Sequence, residues 1–201
     1  MNTKKNESEI SFKTPQGFDQ LGVLWVNDVD ENSAADFCAA VIKQASQHPI
    51  QRPLIVYIDS NGGDVDALNS MLAVLDSVPN QVVTVAMGKA KSAGAILLSH
   101  GDVRFVSPHS TVMIHQVFCG TEGVIDDTIN MIELFKKEND KLLKLLSKNC
   151  KYPGGYRALK KLLVDKHELY LDAQEAVDFG IADQIGVPRL CELSAYDIVL
   201  M

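Results

Sequence analysis

The 201-residue chain has one tryptophan, four cysteines and no apolar run long enough to cross a bilayer. The cysteines, Cys38, Cys119, Cys150 and Cys191, are far apart. They form no C-x-x-C pair and no Cys/His ladder, which excludes a disulfide scaffold and a zinc module and leaves free thiols, mostly buried. A basic excess is also missing: 19 Lys and Arg stand against 26 Asp and Glu, a net charge of −7. Overall charge therefore gives no support to a nucleic-acid surface. The opening residues, MNTKKNESEISF, lack the apolar core of a secretory leader, so the chain reads as cytoplasmic and not membrane-bound. No internal repeat and no low-complexity segment is present. With 46% hydrophobic and 22% charged residues, one globular domain is expected.

What is present is organised around 82–98, VVTVAMGKAKSAGAILL. A β-branched run, 82–87, reads as a buried strand broken by Gly88. Ser92 then stands at a strand-to-helix turn among the small residues Ala90, Ala93 and Gly94. A hydroxyl can be presented there, and the unpaired N–H groups of the following helix suit an oxyanion. The spacing is not the G-x-S-x-G elbow, because Ala90 replaces the first glycine. The plainer alternative is that Ser92 caps the helix.

Elsewhere the pattern predicts strands at 21–26, 54–58, 103–106, 111–116 and 181–187. Helices are predicted from Asn32 or Ser33 as cap, over 65–77, from about 126 to 147, over 156–164 and over 173–179. The last carries Asp172 as N-cap with Glu175 as its capping-box partner and is stopped by Gly180. Residues 1–18 read as a flexible lead-in, 19–187 as the domain and 188–201 as a tail. Strand–helix–strand order implies right-handed crossovers and a largely parallel sheet, an α/β fold, with sites gathered where strands end and helices begin.

Serine chemistry needs a hydroxyl, a base, a group that orients the base, and donors for the oxyanion. Ser92 supplies the first. His115, at the end of an apolar strand in VMIHQ, is the base candidate, against the plainer alternative of a structural histidine. The backbone N–H groups of Gly63 and Ala93 are the natural oxyanion pair.

Four stretches resemble the Clp protease proteolytic subunit (ClpP) family, in its order and near its spacing: DSNGG at 59–63, MGKAKSAGAILL at 87–98, VMIHQ at 112–116 and YLDAQEAVDFGIAD at 170–183. The likeness covers roughly 20–187. It implies the ClpP/crotonase-type superhelical spiral of strand-strand-helix units, with 126–147 as a protruding handle helix. It also implies a serine endopeptidase that cleaves unfolded proteins or short peptides inside a ring homo-oligomer, a heptamer or tetradecamer, with no metal and no organic cofactor. Ser92 maps to the nucleophile, His115 to the base, and Gly63 and Ala93 to the oxyanion donors. A substrate strand would pair beside Gly63, Asp64 and Val65 and along Gln116 and Val117.

Departures from the family accompany the likeness. Its triad aspartate falls on Glu168, with Asp165 the second candidate. Its HQP becomes His115-Gln116-Val117. Asp64 and Asp66 replace apolar residues and disfavour acidic substrates by like-charge repulsion. Lys91 is read as a surface or subunit contact rather than half of a Ser–Lys dyad. An AAA+ unfoldase is the implied partner, although residues 1–20 do not match the family's axial segment. The rival readings are an inactive or specialised ring component, an ATPase-independent protease of phage or plasmid type, and a crotonase-type acyl-CoA enzyme, which needs no serine–histidine pair.

Overall fold

The computed structural model describes residues 23–47 and 52–188. The proposed lead-in, and the tail beyond Pro188, lie outside the described residues. Five strands run β1 (Val23–Val26), β2 (Leu54–Ser60), β3 (Val82–Lys91), β4 (Val103–Val106) and β7 (Gln184–Ile185) across a parallel sheet. The remaining two, β5 (Thr111–His115) and β6 (Glu168–Leu171), leave that path: β5 lies parallel to the end of β3, and β6 closes on β5 antiparallel. The helices are α1 (Glu31–Gln47), α2 (Val65–Ser77), α3 (Ala93–Ser99), α4 (Ile125–Asn149), α5 (Gly155–Lys166) and α6 (Ala173–Phe179).

Period-two alternation sorts the strand side chains. Leu24, Val26, Leu54, Val56, Ile58, Val82 and Ala86 join the helices in the main core. Val23, Ile55, Tyr57, Val83 and Val85 form a smaller cluster on the opposite face, joined by Met87, Val103 and Phe105. A covered face on each side explains why β2 and the first half of β3 read as unbroken apolar runs.

Several boundaries differ from expectation. β3 does not stop at Gly88 but continues to Lys91, because it changes partner. Val83–Ala86 pair with β4 and Lys89–Lys91 with β5. Ser110 Oγ donates to the carbonyls of Ala86 and Met87 at 2.8 and 2.9 Å, at the point of exchange. The cap of α1 is Asp30, not Asn32 or Ser33: Asp30 Oδ1 accepts from Ser33 N at 2.7 Å and Ser33 Oγ returns a bond from Asp30 N. Donation to its carboxyl from the Ser33 backbone N–H first, and from the Ser33 hydroxyl second, holds Asp30 below its ordinary range. The last predicted strand shrinks to two residues, and β6 is a strand the pattern did not announce. The box at Asp172 and Glu175 and the left-handed Gly180 cap are as expected.

The long helix α4 divides in two. Its second half buries Asn139, Leu142, Leu143 and Leu146, while Ile125, Ile129, Met131 and Leu134 on its first half are exposed. At 1.5 Å per residue it spans about 37 Å. The thiols are less uniformly buried than expected: Cys150 is buried and pushed up to about 12 by desolvation, Cys38 is half-buried and Cys119 exposed, and all three are free. Cys191 lies outside the described residues. Among the described residues, no helix is long and apolar enough to cross a membrane.

Candidate active site

Three segments far apart in the chain meet at the end of β3. Ser92 follows Lys91 directly and takes φ +52°, ψ −119°, a conformation an L-residue adopts only when its surroundings enforce it. Its N–H donates to Met113 O of β5 at 2.8 Å, and its carbonyl accepts from Ala95 N and Ile96 N at the start of α3. Although it sits at the N-cap position, its side chain makes no capping bond. The hydroxyl lies instead 2.7 Å from Nε2 of His115.

His115 is the last residue of β5 and is half-buried. The β3–β5 pairing at Ala90–Val112 and Lys91–Met113 sets its distance from Ser92. One step of register slip would turn the imidazole to the other face.

The DSNGG turn lies against the same point. Gly62 has φ +94°, and a Cβ there would fall 2.7 Å from both Ser92 Cβ and Lys91 O. Gly63, at φ +155°, bridges to Val29, where a side chain would overlap the Val29 carbonyl. The double glycine is thus needed for close backbone approach on both sides. Ser60 Oγ, fully buried, accepts from Gly62 N at 3.0 Å and fixes the turn. Ala93 opens α3, so its N–H has no partner within the helix.

Asp64 has a structural use that the sequence pattern did not announce. It is the N-cap of α2, its Oδ1 accepting from Ala67 N at 2.8 Å, and its own N–H is taken by Val29 O at 2.7 Å. Val65 begins that helix and packs against the core. Lys91 lies over the ring of Tyr170, its Nζ 5.9 Å from the centroid.

Glu168 opens β6 directly opposite His115 in the antiparallel register. Cross-strand neighbours stand about 5 Å apart at Cβ, so the carboxylate is within reach of the imidazole. The bond it makes, however, is from the Tyr170 hydroxyl to its Oε2, at 3.0 Å. Among the described residues, the one side-chain hydrogen bond of His115 is that to Ser92. Hydrogen bonding to the Glu168 carboxylate raises the Tyr170 hydroxyl above its ordinary range. Asp165, the other acid considered, is exposed near the end of α5 and outside this register.

Gln116 and Val117 leave β5 beside the helix α4. Val117 N donates to Asn139 Oδ1 at 2.9 Å, and Asn139 Nδ2 to Gln116 Oε1 at 3.4 Å. Sequence reasoning passed over Asn139, Ser60 and Tyr170. For Asn139 there was a signal: it falls in register with Phe135, Leu142 and Leu146 on an apolar helix face. Among the described residues no cluster of His, Cys, Asp and Glu is arranged to hold a metal ion.

Fold and site together define an α/β protein with a serine–histidine pair at a strained strand-to-helix turn, backed by a double-glycine turn. The Clp protease family pattern matches residues 9–189, reaching past both ends of the 20–187 stretch that carries the motifs. The chain belongs to the Clp protease family of hydrolases. It is 31% identical over 172 residues to the ATP-dependent Clp protease proteolytic subunit 3 of Rhodococcus jostii, covering 84% of this chain and 82% of that one. It is equally similar, at 31% over 171 residues, to the ATP-dependent Clp protease proteolytic subunits 1 of Corynebacterium glutamicum and Corynebacterium diphtheriae. These matches cover 84% of this chain and 80% and 79% of theirs.

Proposed function

We propose that this protein is a serine endopeptidase that cleaves unfolded polypeptides or short peptides through an acyl-enzyme. The observation that carries the reading is the 2.7 Å contact between Ser92 Oγ and His115 Nε2 at a backbone conformation held under strain. In the productive tautomer Nε2 accepts the hydroxyl proton while Oγ attacks the scissile carbonyl. The oxyanion that forms is met by the N–H groups of Gly63 and Ala93, which need no reorganisation because both are fixed by backbone packing. His115 then passes its proton to the leaving amine, and water resolves the ester by the same route. Glu168, opposite His115 in the register, is the acid that would orient the imidazole once its carboxylate turns from the Tyr170 hydroxyl. A peptide held as a strand beside Gly63–Val65 and Gln116–Val117 would present its carbonyl to Ser92. This chemistry uses no metal and no organic cofactor.

The ring homo-oligomer belongs to the same proposal. Exposed apolar side chains, Val124, Ile125 and Ile129 on one side of the start of α4 and Met131 and Leu134 on the other, would be covered by further copies of the chain. The words "ATP-dependent" in the relatives' names support partnership with an AAA+ unfoldase, and a cytoplasmic site of action belongs to the same proposal.

A fluorophosphonate probe tests the chemistry. Ser92 is expected to be labelled, with the adduct found on its peptide by mass spectrometry and lost in Ser92→Ala. One observation favours a second reading, an inactive or specialised ring component: the Glu168 carboxylate is bonded to Tyr170 rather than to His115. Absence of labelling in the assembled particle would select that reading.

A further inference from the structure

The segment that leaves β5 after His115 is fastened by a side chain from a different element. Asn139 is buried on the half of α4 that packs against the body, between Phe135 and the core residues Leu142 and Leu146. A buried amide on an apolar helix face is unfavourable unless its polar atoms are used. Here both are used on the same two residues. Oδ1 accepts from the N–H of Val117 at 2.9 Å, and Nδ2 donates to Oε1 of Gln116 at 3.4 Å. The first bond fixes the orientation of the amide, since only its oxygen can accept. Val117 also packs its side chain against the main core, so the two anchors together set the course of the chain one and two residues beyond His115.

We propose that Asn139 is a positioning residue for the serine–histidine site. By holding the Val117 N–H it keeps His115 at its distance from Ser92 and keeps Gln116–Val117 extended for substrate pairing. This rests on the hydrolase reading above. A helix is a firmer support than a loop, and small displacements of a base or of a pairing strand are costly to catalysis.

The specific claim is that the effect passes through one N–H, and proline at 117 removes that N–H. The test compares wild type, Asn139→Leu, Asn139→Asp, Val117→Pro and the double variant Val117→Pro/Asn139→Leu. The readouts are fluorogenic peptide cleavage, the rate of fluorophosphonate labelling of Ser92, and hydrogen exchange of the Val117 amide. Asn139→Leu conserves volume but has no acceptor. It is expected to lower kcat/KM about tenfold, to slow labelling and to speed Val117 exchange. Asn139→Asp keeps an acceptor oxygen and is expected to stay within about threefold of wild type. In the Val117→Pro background, Asn139→Leu is expected to cost less than about a further twofold, since there is no N–H left to hold. The same loss in both backgrounds, or equal impairment of the Asp and Leu variants, overturns the proposal. If the proline variant does not fold, the contrast between Asp and Leu decides alone. An inert, unlabelled wild type refutes the hydrolase reading and the positioning role with it, whereas an active wild type matched by Asn139→Leu refutes only the latter.

Discussion

Ser92 and Glu168 belong to one proposed triad, yet the fold treats them differently. Ser92 is held from four directions. Its N–H is bonded to Met113, its carbonyl starts α3, its side chain meets His115, and Gly62 lies against its Cβ. Glu168 is exposed at the first position of a four-residue strand and follows His167, whose φ of +60° marks a sharp turn out of α5. Its carboxylate is engaged by Tyr170, two residues along the same face. A site can therefore be fixed at its nucleophile and loose at its orienting acid. The looseness falls where a glutamate, one methylene longer than aspartate, must fold back to reach the imidazole. Substitutions at the two ends should differ in size accordingly.

The largest effect is expected for Ser92→Ala. Peptide turnover should fall by at least about 10³-fold, because removing the nucleophile leaves only binding and oxyanion stabilisation. The melting temperature should change little, because the backbone strain is the same for alanine and the lost bond to His115 is worth only about 1 kcal/mol. Full turnover in this variant would remove the comparison altogether. Next is Gly62→Ala. A Cβ there meets Ser92 Cβ and Lys91 O at 2.7 Å and forces a β-carbon onto φ +94°. The expected cost is about 1–3 kcal/mol of stability by chemical denaturation. A fall in kcat/KM of about 10²-fold is also expected, since the nucleophile is displaced. Wild-type activity in Gly62→Ala would mean that Ser92 is not held from that side.

Glu168→Gln should cost less, about tenfold in kcat/KM, well short of the roughly 10⁴-fold loss seen when a buried triad aspartate is made neutral. Glu168→Asp should fall between wild type and the glutamine variant. A 10⁴-fold loss in Glu168→Gln would show that the acid is seated as firmly as the serine, and the contrast drawn above would fail.

How much of this was legible follows the same division. The strand–turn–helix units announced themselves because β-branched runs, paired glycines and capping residues act within a few positions of each other. Ser92, His115, Gly63 and Ala93 each fell at a strand end or turn of that plan. What was not legible depended on non-local pairing. The continuation of β3 past Gly88 needs β5 as a partner 22 positions away, between Lys89 and Thr111. β6 is two-faced, with Leu169 and Leu171 toward the core and Glu168 and Tyr170 outward, too short for its alternation to stand out from the end of α5. The capping use of Asp64 was hidden because its place after the double glycine suggested a carboxylate facing substrate instead. Asp30 displaced Asn32 and Ser33 as cap because any of the three can begin a helix, and the reciprocal bonds between Asp30 and Ser33 fix the start.

The smallest expected effect sharpens the contrast most. Tyr170→Phe removes the donor that engages Glu168 and leaves the ring in place beneath Lys91. The freed carboxylate can then accept from His115 Nδ1. The expected result is a rise in kcat/KM of up to about threefold, within the range of a single hydrogen bond exchanged between partners. In wild type the Tyr170 hydroxyl donates to Glu168, and that bond raises it above its ordinary value. In a Glu168→Gln background the rise should not occur, because there is no charge left to release. A loss of activity in Tyr170→Phe with Glu168 intact would reverse the sign. Tyr170 would then be holding the acid in place for His115 rather than away from it.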